Sequence, residues 1–221
     1  MEKNKDDGNF LRRNGLTLVL LALLSGSLLG QVIAGRKVYN QELAESGRAS
    51  LSWMEYLGSG HFVSATFENW ESEFLQMGMY ILLTVSLRQK GSAESRPMKK
   101  SQEQERIERG AKPWPVRAGG VWKTLYGHSL AIAFAVLFVF SFLLHLDGSW
   151  RHEQDERVSK GEPPIALTEY IREPQFWFES FQNWQSEFLA VASLVLLSIW
   201  LRQKDSPQSK PLEAPHSQTG T

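Results

Sequence analysis

Two stretches of this chain leave it few folding choices. Residues 16–33 form an 18-residue run without a charge, and residues 125–146 a 22-residue run in which only His128 and His145 can carry one near neutral pH. At about 1.5 Å per residue, helices of these lengths reach roughly 27 and 33 Å, close to the ~30 Å hydrocarbon core of a bilayer. The whole-chain average hides this, with 42% hydrophobic residues and 24 basic against 24 acidic side chains. Two shorter apolar runs, 74–87 and 188–201, have 14 residues each. Length alone would favour buried soluble helices for them. Each, however, stops at Leu-Arg-Gln-Lys and has a tryptophan four residues upstream, Trp70 and Trp184, suited to a membrane interface. Together the four runs read as membrane-crossing helices over about 16–33, 67–87, 125–146 and 181–201.

The sequence also carries an internal repeat. Phe67-Glu-Asn-Trp-Glu-Ser-Glu-Phe-Leu75 returns as Phe181-Gln-Asn-Trp-Gln-Ser-Glu-Phe-Leu189 at an offset of 114 residues, and 13 of the 24 positions from 67 to 90 are identical to their counterparts. The register continues upstream through Phe62 and Phe176, Glu55-Tyr56 and Glu169-Tyr170, and Gly47 and Gly161. The expected organisation is a tail over 1–13, a first repeat over 14–90, a charged linker over 91–118, a second repeat over 119–204 and a disordered, proline-containing tail over 205–221. Each repeat has an even number of spans, so the two share one orientation and form a parallel repeat. Lys3, Lys5, Arg12 and Arg13 ahead of the first run, with Val32-Ile33-Ala34 after it, also fit a secretory signal. The repeat favours a retained span, because the first run is the counterpart of the internal third one.

Charge gives the orientation. The two tails and the 88–124 loop together hold 17 basic and 9 acidic groups, while 34–73 and 147–187 hold 7 basic and 15 acidic. The positive-inside rule then places both termini and the middle loop in the cytoplasm. The middle loop includes a stretch, Glu103–Arg109, that reads as a short surface helix. On the outer side, Ser52 and Glu55 fit a capping box for a short amphipathic helix, Gly58-Ser59-Gly60 breaks it, and a second helix starts near His61. Pro174 starts the corresponding helix in the second repeat.

Depth singles out two carboxylates. Glu73 lies 14 residues before Leu87, about 21 Å up a ~30 Å core. Glu73 and its counterpart Glu187 should therefore face protein or water. Asn69 and Asn183 sit one turn earlier on the same helix faces. Gln31 and its counterpart His145 fall at similar depth on the preceding spans, so the expected pairs are Gln31 with Glu73 and His145 with Glu187. These six are the candidate ligand or ion residues, with Trp70 and Trp184 as interfacial aromatics. The alternative is a purely structural polar clamp.

Other chemistry is disfavoured. There is no cysteine, so thiol catalysis and cysteine-based metal sites are excluded. Zero net charge gives no reason to expect nucleic acid. No phosphate loop, GxSxG or HExxH motif occurs, and neither an enzyme nor a cofactor is expected. The metal-capable groups from His145 to Glu156 are not repeated, and Glu68 and Glu71 become Gln182 and Gln185, so no metal site is expected and the stretch reads as an acidic loop. Gly26 and Gly30 give the first span a small-residue face for close helix packing, within the bundle or in a dimer.

The pieces Arg12-Arg-Asn-Gly, Ser59-Gly-His-Phe, Phe67-Glu-Asn-Trp-Glu-Ser-Glu-Phe-Leu-Gln and Leu87-Arg-Gln-Lys-Gly-Ser-Ala-Glu-Ser resemble a family of small bacterial integral membrane proteins known as a domain of unknown function. The likeness runs from Phe10 to Lys204. It implies bacterial origin, the inner membrane and about four spans, and brings no activity or site with it. The combined expectation is an all-α integral membrane protein of two parallel hairpins with short outer amphipathic helices. Its partners are the lipid bilayer and another membrane protein or a second copy. Its role is non-enzymatic scaffolding or binding, with a small proton- or cation-coupled transporter or channel using Glu73 and Glu187 as the alternative.

Overall fold

The computed structural model describes residues 10–99, 101, 103 and 107–220. Most of the tail expected over 1–13, and part of the surface helix expected over 103–109, lie outside those residues. Among the described residues the chain is all-helical. Its elements are α1 (Phe10–Glu45), α2 (Trp53–Leu57), α3 (Gly60–Ser86), α4 (Trp114–Ala118), α5 (Gly120–Lys160), α6 (Leu167–Tyr170) and α7 (Pro174–Leu197). Two of them, α1 and α5, are long and apolar enough to cross a membrane, with mean hydropathies of 2.1 and 2.4 over 18 residues. The other two long helices, α3 and α7, have 27 and 24 residues, and their first halves are polar.

Both apolar helices outrun their apolar runs. Helix α1 continues from Ile33 to Glu45, and α5 from Leu146 to Lys160. The stretch from His145 to Glu156, expected as a loop, is therefore helical. The reason is local: Arg157 pairs with Glu153 and Lys160 with Glu156, each one turn back, which sustains a helix in water.

Backbone contacts divide the chain into two units. The first comprises the residues up to Val63 together with Gly148–Pro164. Its core is Tyr39 and Leu43 of α1, one turn apart, against Tyr56 of α2, with Leu51 and Phe62 packed on them. The connection out of α1 is pinned by Asn40, whose amide donates to the Leu51 carbonyl at 3.1 Å and accepts from the Leu51 N–H at 2.7 Å. The Ser52–Glu55 capping box forms as read. Ser59 caps α3 by accepting from the Phe62 N–H at 3.2 Å. Between them Gly60 lies so close to α5 that a Cβ there would meet His152 N at 2.5 Å and the Gly148 carbonyl oxygen at 2.6 Å. Arg151 of α5 donates to the Gly58 carbonyl at 2.8 Å, clasping the same turn. Among the described residues, a Cβ added at Gly26 or Gly30 of α1 would have no neighbour within 4 Å.

The second unit comprises Ser64–Asp147 and the chain from Ile165 onward. Here α3, the first part of α5 and α7 enclose an interior that is largely polar. Glu71, Ser72, Gln76, Ser141, His145 and Ser180 are buried, while Leu82, Val85, Val136, Leu189 and Leu196 are exposed. Large aromatic rings complete the interior, with Phe142, Phe176 and Trp177 in mutual contact.

The two Leu-Arg-Gln-Lys segments make matching local contacts. The Arg88 guanidinium donates to the carbonyls of Thr84, Val85 and Leu87, and Arg202 to those of Ser198, Ile199 and Leu201. Each thereby satisfies carbonyls left open at a helix C-terminus. The N–H groups of Gln89 and Gln203 donate to Ser95 and Ser209, both at 2.9 Å. At the next turn Gly91 and Asp205 share a positive φ, 86° and 63°, which glycine adopts freely and aspartate tolerates better than most residues. The tail expected to be disordered forms turns from 205 to 220. Its anchor is the buried Lys210 ammonium, which donates to the carbonyls of Gly91, His216 and Gln218. The tail thereby supplies backbone acceptors for a buried cation.

Candidate functional site

The polar interior of the second unit converges on His145. Helix periodicity presents the parts. Glu68 and Glu71 are three apart on α3, Ser141 and His145 four apart on α5, and Glu179 and Asn183 four apart on α7, each pair sharing a face. His145 is fully buried, its ring centroid 5.0 Å from that of Phe176. Its Nδ1 lies 3.2 Å from Glu71 Oε2 and its Nε2 3.8 Å from Glu179 Oε2. Glu71 is also fully buried, and its Oε1 accepts from the Trp184 indole N–H at 3.3 Å. The Asn183 amide donates to Glu68 Oε1, and Gln175 donates to Glu179 Oε1 at 2.7 Å. Glu68, His145 and Glu179 each bring one donor atom to within 4.8 Å of the other two, a spacing suited to a shared ion.

The electrostatics of this arrangement are unbalanced. Three carboxylates surround one imidazole. The charged groups that act on Glu68 are His145, Glu179 and Glu71, with no arginine or lysine among them. The hydroxyls of the fully buried Ser141 and Ser180 make no hydrogen bond among the described residues, while the imidazole nitrogens face Glu71 and Glu179 as ion-pair partners. Buried polar atoms are nearly always paired, so the two hydroxyls mark an interior able to take a further polar partner.

The residues expected from sequence are distributed as follows. His145, Asn183 and Trp184 lie in or against the cluster. Neighbours of His145 are Glu71 and Glu179, where Glu187 was expected. Glu187 is half-buried and has Glu73 as its charged neighbour, while Glu73 itself is exposed. Asn69 is exposed and donates to the Ala65 carbonyl of its own helix at 2.8 Å. Trp70 packs edge-on against Phe67 at 5.2 Å. Gln31 lies half-buried on α1, in the other unit. Asn183 shares the bond of Asn69 to the carbonyl four residues back, and Ser72 and Ser186 donate to the carbonyls of Asn69 and Asn183, so part of the motif serves its own helix.

Sequence reasoning missed Glu68, Glu71, Glu179, Ser141 and Ser180 as site residues. A signal was present. At the 114-residue offset Glu68 and Glu71 stand against Gln182 and Gln185, His145 against Gln31, and Glu179 against Ala65. The charged members of the cluster are the positions at which the two segments differ.

A second polar cluster sits in the first unit. The Tyr39 ring stacks on His61 at 4.6 Å and meets His152 edge-on at 5.7 Å, and the Tyr56 hydroxyl lies 3.3 Å from His61 Nδ1. Burial, reinforced by His152, pushes the His61 imidazole down to about 4. Asp155 and Glu156 border this cluster, the first accepting from the Tyr39 hydroxyl at 3.4 Å and the second facing His152 Nε2 at 3.5 Å.

Comparison with known proteins adds a family and no activity. The chain belongs to the family described as Domain of unknown function (DUF6766), whose model matches residues 7–221. Among curated proteins and among solved structures none matches the chain.

Proposed function

We propose that this member of a family without an assigned activity is a four-span bacterial inner-membrane protein that binds a cation inside its helix bundle and acts without catalysing a reaction. The observation that carries the reading is the inverted distribution of polarity in the second unit, with Glu71, His145, Ser141 and Ser180 buried and leucines and valines of α3, α5 and α7 outside. In water this arrangement is costly twice over, through exposed apolar surface and buried charge. In a bilayer the apolar exterior is solvated by lipid, and ionisable groups turned inward mark a ligand or ion site. The matching contacts of Arg88 and Arg202 support two parallel hairpins whose basic ends share the cytoplasmic side. A binding or scaffold role also fits the uncovered Gly26–Gly30 face of α1, open to a second copy or another membrane protein.

Topology is directly testable because the chain has no cysteine. With four spans, a single cysteine at Ser101 is cytoplasmic and one at Ser159 is external. With α1 and α5 as the only spans and the N-terminus again cytoplasmic, both assignments reverse. Labelling by a membrane-impermeant maleimide in intact cells separates the two, and labelling at Ser101 without permeabilisation would end the four-span reading.

The neighbouring pair Glu73 and Glu187 favours a second reading, a small proton- or cation-coupled transporter or channel. Proteoliposomes carrying the wild type or the Glu73→Gln, Glu187→Gln double variant test it. Equal proton and cation flux from the two removes those residues from any transport path.

A further inference from the structure

We infer that the Glu68–His145–Glu179 cluster is a site for a divalent first-row transition metal of the zinc, manganese or iron(II) class, with His145 Nε2 and the Glu68 and Glu179 carboxylates as ligands and Glu71 as the residue that positions the imidazole. The inference deepens the cation-binding reading and rests on it. Three observations on this chain support it.

First, the contacts of the two imidazole nitrogens differ in kind. Nδ1 faces Glu71 Oε2 at 3.2 Å, and the other oxygen of Glu71 is held by Trp184. A carboxylate held in this way favours the tautomer with its proton on Nδ1 and raises the basicity of the opposite nitrogen, the arrangement found behind metal-bound histidines. Nε2 lies 3.8 Å from Glu179 Oε2, with Glu68 beside it. In that tautomer Nε2 carries a lone pair, and a lone pair beside two carboxylates is stabilised by a cation between them, a metal ion or a proton.

Second, charge balance favours a divalent ion. The cluster's own groups are three carboxylates and one imidazole, so with all three ionised and the imidazole neutral a doubly charged ion removes most of the excess. Isolated ionised groups in a low-dielectric interior are strongly disfavoured. Asn183 donates to Glu68 Oε1 and Gln175 to Glu179 Oε1, which holds both carboxylates in place at the cluster.

Third, the donor set selects the metal. One imidazole with carboxylate oxygens suits zinc, manganese or iron(II), whereas calcium and magnesium prefer all-oxygen shells and copper(I) prefers sulfur. Ligand atoms about 2.0–2.2 Å from a tetrahedral ion stand roughly 3.3–3.6 Å apart. The donor atoms lie within 4.8 Å of one another, so about 1.5 Å of movement or less brings them to that spacing. The set draws Glu68 from one segment and His145 and Glu179 from the other, so it forms a single site and needs no symmetric partner.

The test uses the full chain, purified in mild detergent with a histidine-free tag and stripped by chelator. Cobalt(II) is added and its visible absorption followed, and the unfolding midpoint is recorded with zinc, with magnesium and without either. The expected results are one cobalt per chain, a visible band of a four- or five-coordinate ion, and a midpoint raised by zinc and not by magnesium. His145→Gln and Glu179→Gln should abolish the band. Glu71→Gln should weaken binding by about 10–100-fold while leaving the band's position in place, as expected of a positioning residue. The zinc-dependent midpoint of the wild type requires no variant to fold. A wild type that takes up no cobalt and shows no zinc-dependent midpoint overturns the metal assignment, as does a band that survives in folded His145→Gln. If metal uptake fails but proton flux in proteoliposomes is lost in Glu71→Gln, the cation reading stands with a proton as the ion. If both fail, both readings fall.

Discussion

Replacing Gly60 with alanine should destabilise the protein, although helix propensity argues the opposite. Gly60 opens α3, where alanine would favour the helix by up to about 1 kcal/mol over glycine. The added Cβ, however, would stand 2.5 Å from His152 N, 2.6 Å from the Gly148 oxygen and 2.9 Å from the Arg151 carbonyl carbon. All three are backbone atoms of α5, so no side chain can swing aside. The helices must separate by most of an ångström, and the Arg151 bond to the Gly58 carbonyl at 2.8 Å is stretched with them. Overpacking of this kind costs about 1–3 kcal/mol, and a rigid backbone neighbour puts Gly60→Ala towards the upper end. At about 2–4 °C per kcal/mol, the unfolding midpoint should fall by roughly 4–10 °C. Gly58→Ala is the control two residues away, because its Cβ would meet carbonyl oxygens at an ordinary 3.7 Å. Thermal unfolding in detergent, followed by circular dichroism, compares the two. A Gly60→Ala protein as stable as Gly58→Ala would refute the close approach of α3 to α5.

Three further outcomes are expected. Asn40→Ala removes both side-chain bonds to the Leu51 backbone and should cost about 1–3 kcal/mol, read as a lowered midpoint, because the Leu51 peptide is left without those partners. Lys210→Met leaves several carbonyls without their shared donor and should make the 205–220 tail sensitive to limited proteolysis, whereas Arg96→Met at the corresponding position, an exposed pair with Glu103, should not. Stability should also fall with acid through His61. Its folded-state pKa of about 4 lies below the ordinary 6.5, so the unfolded chain takes up a proton that the folded one refuses. The stabilisation is complete above pH 6.5 and is lost between pH 6.5 and 4. Tyr39, Tyr56 and His152 are the groups that face this ring, and His61→Gln should flatten that part of the profile.

Much of the helical framework can be read from the sequence because its signals are local. The Ser52–Glu55 capping box and the Pro174 helix start are set by a few neighbouring residues, and both form as read. The reach of α1 and α5 beyond their apolar runs was not legible, because hydropathy changes where apolar residues stop and the backbone helix does not. Past Ile33 the helix α1 becomes amphipathic, burying Tyr39 and Leu43 one turn apart. Past Leu146 ion pairs one turn apart carry α5 onward. The contacts of the tail after Lys204 were not legible for a different reason. Composition marks it as unable to build an apolar core, but its order comes from carbonyls gathered on the Lys210 ammonium and from the Gly220 N–H donating to the Ser92 carbonyl at 2.9 Å.

The site was partly hidden because an internal repeat invites attention to what its two segments share. Of the shared residues, Asn69, Ser72 and Ser186 bond within their own helices, as a common scaffold requires, while Asn183 divides its amide between its own helix and Glu68. Chemistry needs a departure from that scaffold. A carboxylate buried in both segments would have to be neutralised twice in a low-dielectric interior, whereas charges gathered at one place can be neutralised together. The pattern of differences fits that constraint. Glu68, Glu71, His145 and Glu179 meet in one cluster, while their counterparts Gln182, Gln185, Gln31 and Ala65 are uncharged. In a chain with two similar halves, the positions to test first are those where one half has a titratable side chain and the other a neutral one of similar shape.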